Sequence, residues 1–173
     1  MIQEIAFLTY GTAGVAVGLF AVLLLTAWRG RRLGGLMLFA AIATAVWAGA
    51  IASFAASGNP VGGLIGVFEA VRNLAWLLFL RGILSQPGRE GRGVTGQWPI
   101  RILFAAGVMG VLALAVGVDS PYLQAATSLW FLAAAVIGLG YVEHVFRGTS
   151  SAHRWRVKLL CIGLGLQLAY DFF

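Results

Sequence analysis

Six long apolar runs, separated by short polar or glycine-rich connections, account for nearly the whole chain. They cover roughly Ile5–Trp28, Leu33–Ala56, Val61–Leu84, Ile100–Val118, Tyr122–Val142 and Val157–Phe173. A helix needs about 20 mostly apolar residues to cross a hydrocarbon core of ~30 Å, and each run meets or approaches that length. The pattern predicts an all-α, polytopic transmembrane bundle of six spans, with residues 1–173 forming a single transmembrane domain. The connections alternate in character. RGRR (29–32), SQPGREGRGVTGQWP (85–99) and EHVFRGTSSAHRWR (143–156) are basic, whereas SGNP (57–60) and GVDSP (117–121) are short turns carrying Gly and Pro.

Charge sets the expected orientation. Eleven of the twelve Lys and Arg residues lie in or beside the three basic connections, and the twelfth is Arg72. Cytoplasmic loops carry such an excess. The N-terminus and the two short turns are therefore expected outside, with the basic connections in the cytoplasm. Trp28, Trp98, Trp130 and Trp155 fall near span ends or loops, where interfacial aromatic belts form.

Composition agrees. The chain is 60% hydrophobic and 10% charged, with a mean hydropathy of +0.90, whereas soluble domains carry about 25% charged residues. The net charge of +6 is dispersed in clusters between apolar runs, which argues for a lipid bilayer and against a nucleic-acid partner. One cysteine, Cys161, leaves no disulfide framework or paired thiol site. The N-terminal MIQEIAFLTY lacks a basic n-region and reads as the start of the first span, not as a cleaved signal peptide. The last run stops at Phe173 with no polar exit, so a truncated, longer protein is expected.

Chemistry-bearing residues are few. His144 and His153 share the third basic connection with Glu143 as their sole acidic neighbour. A metal site needs three or four convergent ligands, so neither a metal nor another cofactor is expected. No phosphate-binding glycine loop and no nucleophile–base–orienter set is visible, so this chain is not expected to be catalytic by itself. Gly14/Gly18 and Gly62/Gly66 have GxxxG spacing. Close packing within the bundle is the first reading of these pairs and dimerisation the second.

Two polar constellations interrupt the apolar runs. On the third, Glu69, Arg72, Asn73 and Trp76 share a helical face at i, i+3, i+4 and i+7; on the sixth, Gln167, Tyr170 and Asp171 do likewise. At ~1.5 Å per residue, Glu69 and Arg72 lie about 12 and 17 Å from the outer end of their helix. By the same count Gln167 and Asp171 lie about 15 and 21 Å from the inner end of theirs. Both faces then occupy similar levels, which predicts that the third and sixth helices touch and that Arg72 lies nearer Asp171 or Tyr170 than lipid. The six residues Glu69, Arg72, Asn73, Gln167, Tyr170 and Asp171 form the candidate site, either a structural polar knot or a ligand pocket opening outward.

The C-terminal third, VEHVFRGTSSAHRWRVKLLCIGLGLQLAYDFF (142–173), resembles the membrane region of PrsK-type sensor histidine kinases of the PEP-CTERM/XrtA (exosortase) system. The family's VEQLYRN is matched by Val142, Glu143 and Arg147, and its RW by Arg154 and Trp155. Its KFLCLGLGG is matched by Lys158, Leu160, Cys161, Gly163 and Gly165, and its AYDFF by Ala169, Tyr170, Asp171 and Phe172. FEAVRNLAWLLFLRGIL (68–84) and LTAWRGRRLGGLMLFAAIATAVWAG (25–49) are similar to the same region. His144 and Gln167 depart from the family's commoner residues, so no ligand carries over through them.

The resemblance implies that further spans, a GAF domain, a dimerisation and phosphoacceptor region and an ATP-binding kinase domain would follow. The parent protein would then be a protein histidine kinase, a phosphotransferase of a two-component system regulating exopolysaccharide and PEP-CTERM protein sorting. It would form a homodimer and address its response regulator through those absent domains. The present chain would be its sensor and anchor in the bacterial inner membrane. Two rivals stay open: a small-solute transporter or channel subunit, and a purely structural membrane anchor. The transporter reading wants discontinuous helices and an inverted repeat, and neither is visible in the sequence.

Overall fold

Backbone amides in hydrocarbon have no water to bond, so an apolar chain must satisfy them within its own helices. A computed structural model describes residues 2–28, 30–57, 62–85, 98–115, 120–147 and 151–172. Among these are six helices and no strand: α1 (Ile2–Ala27), α2 (Arg32–Ser57), α3 (Gly62–Leu84), α4 (Trp98–Ala115), α5 (Pro121–Arg147) and α6 (Ser151–Phe172). Of these, α1, α2 and α5 are long and apolar enough to cross a membrane, and α6 holds a shorter apolar stretch, Lys158–Ala169.

The third basic connection is the main departure from expectation. Most of 143–156 is helical: Glu143, His144 and Arg147 continue α5, while His153, Arg154 and Trp155 belong to the first turns of α6. The local sequence explains the extension. Nothing in EHVFR breaks a helix, and Glu143 pairs with Arg147 one turn on, at 2.6 Å, as i,i+4 charges do.

The helices sort into two compact units, Met1–Trp76 with Val111–Val118, and Leu77–Gly110 with Asp119–Phe173. In the first, α1 packs along α2. On α2, Leu38 and Ala41 pack with Ala21, Val17 and Leu24 of α1, and the small residues Ala45, Ala48 and Gly49 stand against Gly14. Small side chains let two backbones approach closely where no hydrophobic force favours helix association. Away from this contact, α1 leaves Leu8, Val15, Leu19 and Leu23 exposed, an apolar surface suited to lipid.

The α1–α2 turn is tightly specified. The Trp28 backbone N–H donates to the Leu25 carbonyl at 3.3 Å, closing α1. Gly30 adopts φ +74°, a left-handed conformation that glycine reaches without steric cost. The Arg31 carbonyl accepts from the Trp28 indole N–H at 3.1 Å and from the Gly35 N–H at 3.1 Å. The indole rests on Gly34 and Gly35, and a Cβ on Gly34 would lie 3.1 Å from Trp28 Cδ1.

In the second unit α5 packs along α6. Gly138 of α5 receives Leu168 of α6, and the buried Cys161 thiol donates to the Val142 carbonyl at 3.9 Å. Trp130, expected in an interfacial belt, is instead buried on α5. Its ring covers Gly107 of α4, whose missing side chain leaves the room.

The glycines accordingly separate by function. A Cβ on Gly14 would meet Ala48 Cβ at an ordinary 3.5 Å, and one on Gly18 would meet nothing within 4 Å. One on Gly138 would fall 2.8 Å from Leu168 Cδ1. Gly14→Ala is expected to leave stability unchanged or raise it by up to ~1 kcal/mol through helix propensity. Gly138→Ala is expected to cost about 1–2 kcal/mol by overpacking. Unfolding titrations in mixed micelles would check this, and equal effects of the two changes would refute the assignment.

Candidate functional site

The site grows from the polar face of α3. Arg72 is 1% exposed and Asn73 2%, the only polar or charged side chains buried among the described residues. A buried charge is costly unless it is paired and hydrogen-bonded. Its surroundings must therefore solvate it.

They do so in three ways. The guanidinium lies over the Trp47 indole of α2, with Arg72 Cζ 3.8 Å from the ring centroid. A desolvated cation–π contact of this kind is worth about 2 kcal/mol. Arg72 Nε and Nη2 both donate to Asn73 Oδ1, at 3.3 and 3.2 Å. Glu69 Oε1 stands 3.9 Å from Arg72 Nη2, and its side chain is 33% exposed. The carboxylate thus marks the open edge of an otherwise buried cationic centre.

Aromatic residues frame that centre. Tyr10 of α1 meets Trp47 edge-to-face, with centroids 5.7 Å apart and planes at 85°. Trp76, one turn beyond Arg72, donates its indole N–H to Thr44 Oγ1 at 3.0 Å. The Thr44 hydroxyl in turn donates to the Ala40 carbonyl at 2.8 Å, which fixes its oxygen as an acceptor. The Trp47 indole nitrogen is buried and has no hydrogen-bond partner among the described residues.

Register explains why these residues meet. Trp47 lies about ten residues before the end of α2 and Arg72 about ten after the start of α3, so each is ~15 Å from the intervening turn. Thr44 and Trp76 sit level in the same way. The face Glu69, Arg72, Asn73 and Trp76 is therefore assembled as expected, but on partners the sequence did not single out: Tyr10, Thr44 and Trp47. The usable signal was the antiparallel register of neighbouring helices together with the i,i+3 spacing of Thr44 and Trp47.

Gln167 lies on α6 in the second unit, half-buried, with its side-chain nitrogen buried and unpartnered among the described residues. The side chains of Tyr170 and Asp171 lie outside the described residues, and so does the expected approach of Arg72 to them. Among the described residues no three His, Cys, Asp or Glu side chains converge as a metal site requires. The Arg72 cluster pairs a buried cation with aromatic walls and a carboxylate at its rim. No protein-family model, no curated protein and no solved structure matches this chain.

Proposed function

We propose that the chain is the sensor and anchor region of a two-component histidine kinase, crossing the bacterial inner membrane six times with its N-terminus outside. The observation that carries the sensing role is the buried Arg72 guanidinium, held between Trp47, Asn73 and the rim carboxylate Glu69. Ionisable groups within apolar helices mark functional sites more often than not. The kinase assignment rests on the resemblance of residues 25–49, 68–84 and 142–173 to PrsK-type kinases. Three helices long and apolar enough to span a membrane support the anchoring role.

In this reading the signal acts at the exposed Glu69 edge and shifts α3 against α2. Since α3 is one continuous helix from Gly62 to Leu84, a small rotation at Arg72 reaches Arg81 near its other end. Helix shifts of about 1–2 Å are a common switching device.

Two measurements test the proposal. Single cysteines placed at Asn59, Arg92 and Ser150 in a Cys161→Ser background report orientation in intact cells. Labelling by an impermeant maleimide is expected at position 59 alone; labelling at 92 but not 59 inverts the topology. The kinase assignment is tested in the parent protein, whose reading frame is expected to continue into GAF and kinase domains. There, Arg72→Lys should alter autophosphorylation in native membranes at unchanged expression, and a stop codon directly after Phe173 would remove the kinase reading.

A further inference from the structure

We infer that the α1–α2 turn is a built site for the phosphate of an anionic lipid headgroup, in which Trp28 locks the backbone that presents Arg31 and Arg32. The inference is independent of the kinase reading. Both α1 and α2 are long and apolar enough to span, so the turn between them falls at a membrane–water boundary whichever way the chain faces.

The turn carries the chemistry of such a site. Arg31 and Arg32 are exposed, and neither has an ion-pair partner among the described residues. No acidic residue stands in the first turn of α2. Guanidinium groups fork onto phosphate oxygens through paired charge-assisted hydrogen bonds. Trp28 is 47% exposed, and indoles settle at headgroup depth. Its N–H is already committed to the Arg31 carbonyl, so its role toward lipid is to hold the turn and face the acyl boundary.

What distinguishes this turn from an ordinary basic loop is its preorganisation. The Arg31 carbonyl accepts two hydrogen bonds, one from the indole and one from the α2 backbone. The indole lies close on Gly34, where a Cβ would come within 3.1 Å of its Cδ1, and in ordinary contact range of Gly35. Glycine costs helix stability, and the one at position 34 is accounted for by the space Trp28 takes. Ordering the arginine backbone beforehand reduces the entropy lost on binding.

The test separates a built site from diffuse attraction. Native mass spectrometry of the delipidated protein would be titrated with dioleoyl phosphatidylglycerol and, separately, dioleoyl phosphatidylcholine. The first phosphatidylglycerol is expected to bind more tightly than phosphatidylcholine. Each arginine near an anionic surface contributes about fivefold, so R31Q/R32Q should weaken that event by roughly twentyfold. Trp28→Phe, which removes the indole N–H, should weaken it by about threefold or more at unchanged charge. Gly34→Val, which displaces the ring, should do the same. Circular dichroism and gel filtration verify folding of each variant, and Trp28→Phe stands alone if Gly34→Val fails to fold. Inorganic phosphate at millimolar concentration should not displace the lipid. Wild-type affinity in Trp28→Phe, no loss in R31Q/R32Q, or displacement by free phosphate would each overturn the inference.

Discussion

Arg72→Met should be among the most damaging single substitutions in the chain, lowering stability by about 2–4 kcal/mol through loss of a desolvated cation–π contact and charge-assisted hydrogen bonds. Three groups lose their partner at once. Asn73 Oδ1 loses two donors, Glu69 loses its cation, and the Trp47 face loses the guanidinium stacked on it. Methionine fills much of the volume without replacing any of these interactions. Glu69→Gln should be far milder, below about 1 kcal/mol, because its carboxylate is one-third exposed and only loosely held at 3.9 Å. A double-mutant cycle between Arg72→Met and Trp47→Leu, read from thermal unfolding in detergent, should show coupling of at least ~1 kcal/mol. Strict additivity would mean that the stacking seen between them carries no energy.

The second large effect is expected at Gly107. A Cβ there would lie 2.5 Å from Trp130 Cζ2 and 2.8 Å from Cε2, both atoms of a rigid ring. Trp130 has little freedom to yield, being buried and packed edge-to-face on Phe131 with centroids 5.1 Å apart. Gly107→Ala should therefore push α4 from α5 or force the indole off its rotamer, at a cost of about 2–3 kcal/mol. The same change made in a Trp130→Leu background should cost much less. If the penalty persists without the indole, the contact is not its cause.

Much of the helical layout was legible because apolar length is a local property. Each of the six runs corresponds to one helix, and outside the third basic connection the ends differ by at most three residues. The exception, 143–156, shows the limit of that reasoning. Polarity reports where lipid ends, whereas helix continuation depends on backbone propensity, and Glu143 with Arg147 extends α5 past the apolar stretch. The candidate site was half legible for a similar reason. The spacing of Glu69, Arg72, Asn73 and Trp76 fixes their common face within one helix. Their partners Tyr10, Thr44 and Trp47 come from other helices, and which residues stand level across a hairpin is set by turn length and packing. One acceptor for Arg72 also came from an unexpected place. Adjacent residues on a helix do not face each other, yet the long arginine stem folds back far enough for Asn73 to serve. Gln167 has the spacing of a site residue, but its own unit supplies no partner for its side-chain nitrogen among the described residues.

The extension of α5 has a mechanical consequence. The helix is 27 residues long, about 40 Å, against a hydrocarbon thickness of ~30 Å. In a bilayer, tilt alone would have to exceed the usual ~20° to hide that excess, so the charged end, Glu143 to Arg147, would project beyond the lipid as a stub of rather more than one turn. Val142, the last apolar residue before the stub, is also where the Cys161 thiol ties α6 to α5. Together with Leu168 seated on Gly138 one turn earlier, that tie holds α6 against α5 around Val142, beside the stub. Tilting α5 by about 10° about this point would swing the opposite end of the apolar stretch, ~31 Å away, through roughly 5 Å, while the stub moves only about 1 Å. The Glu143–Arg147 stub would thus register a large lateral motion in the bilayer as a small, stiff displacement at the surface.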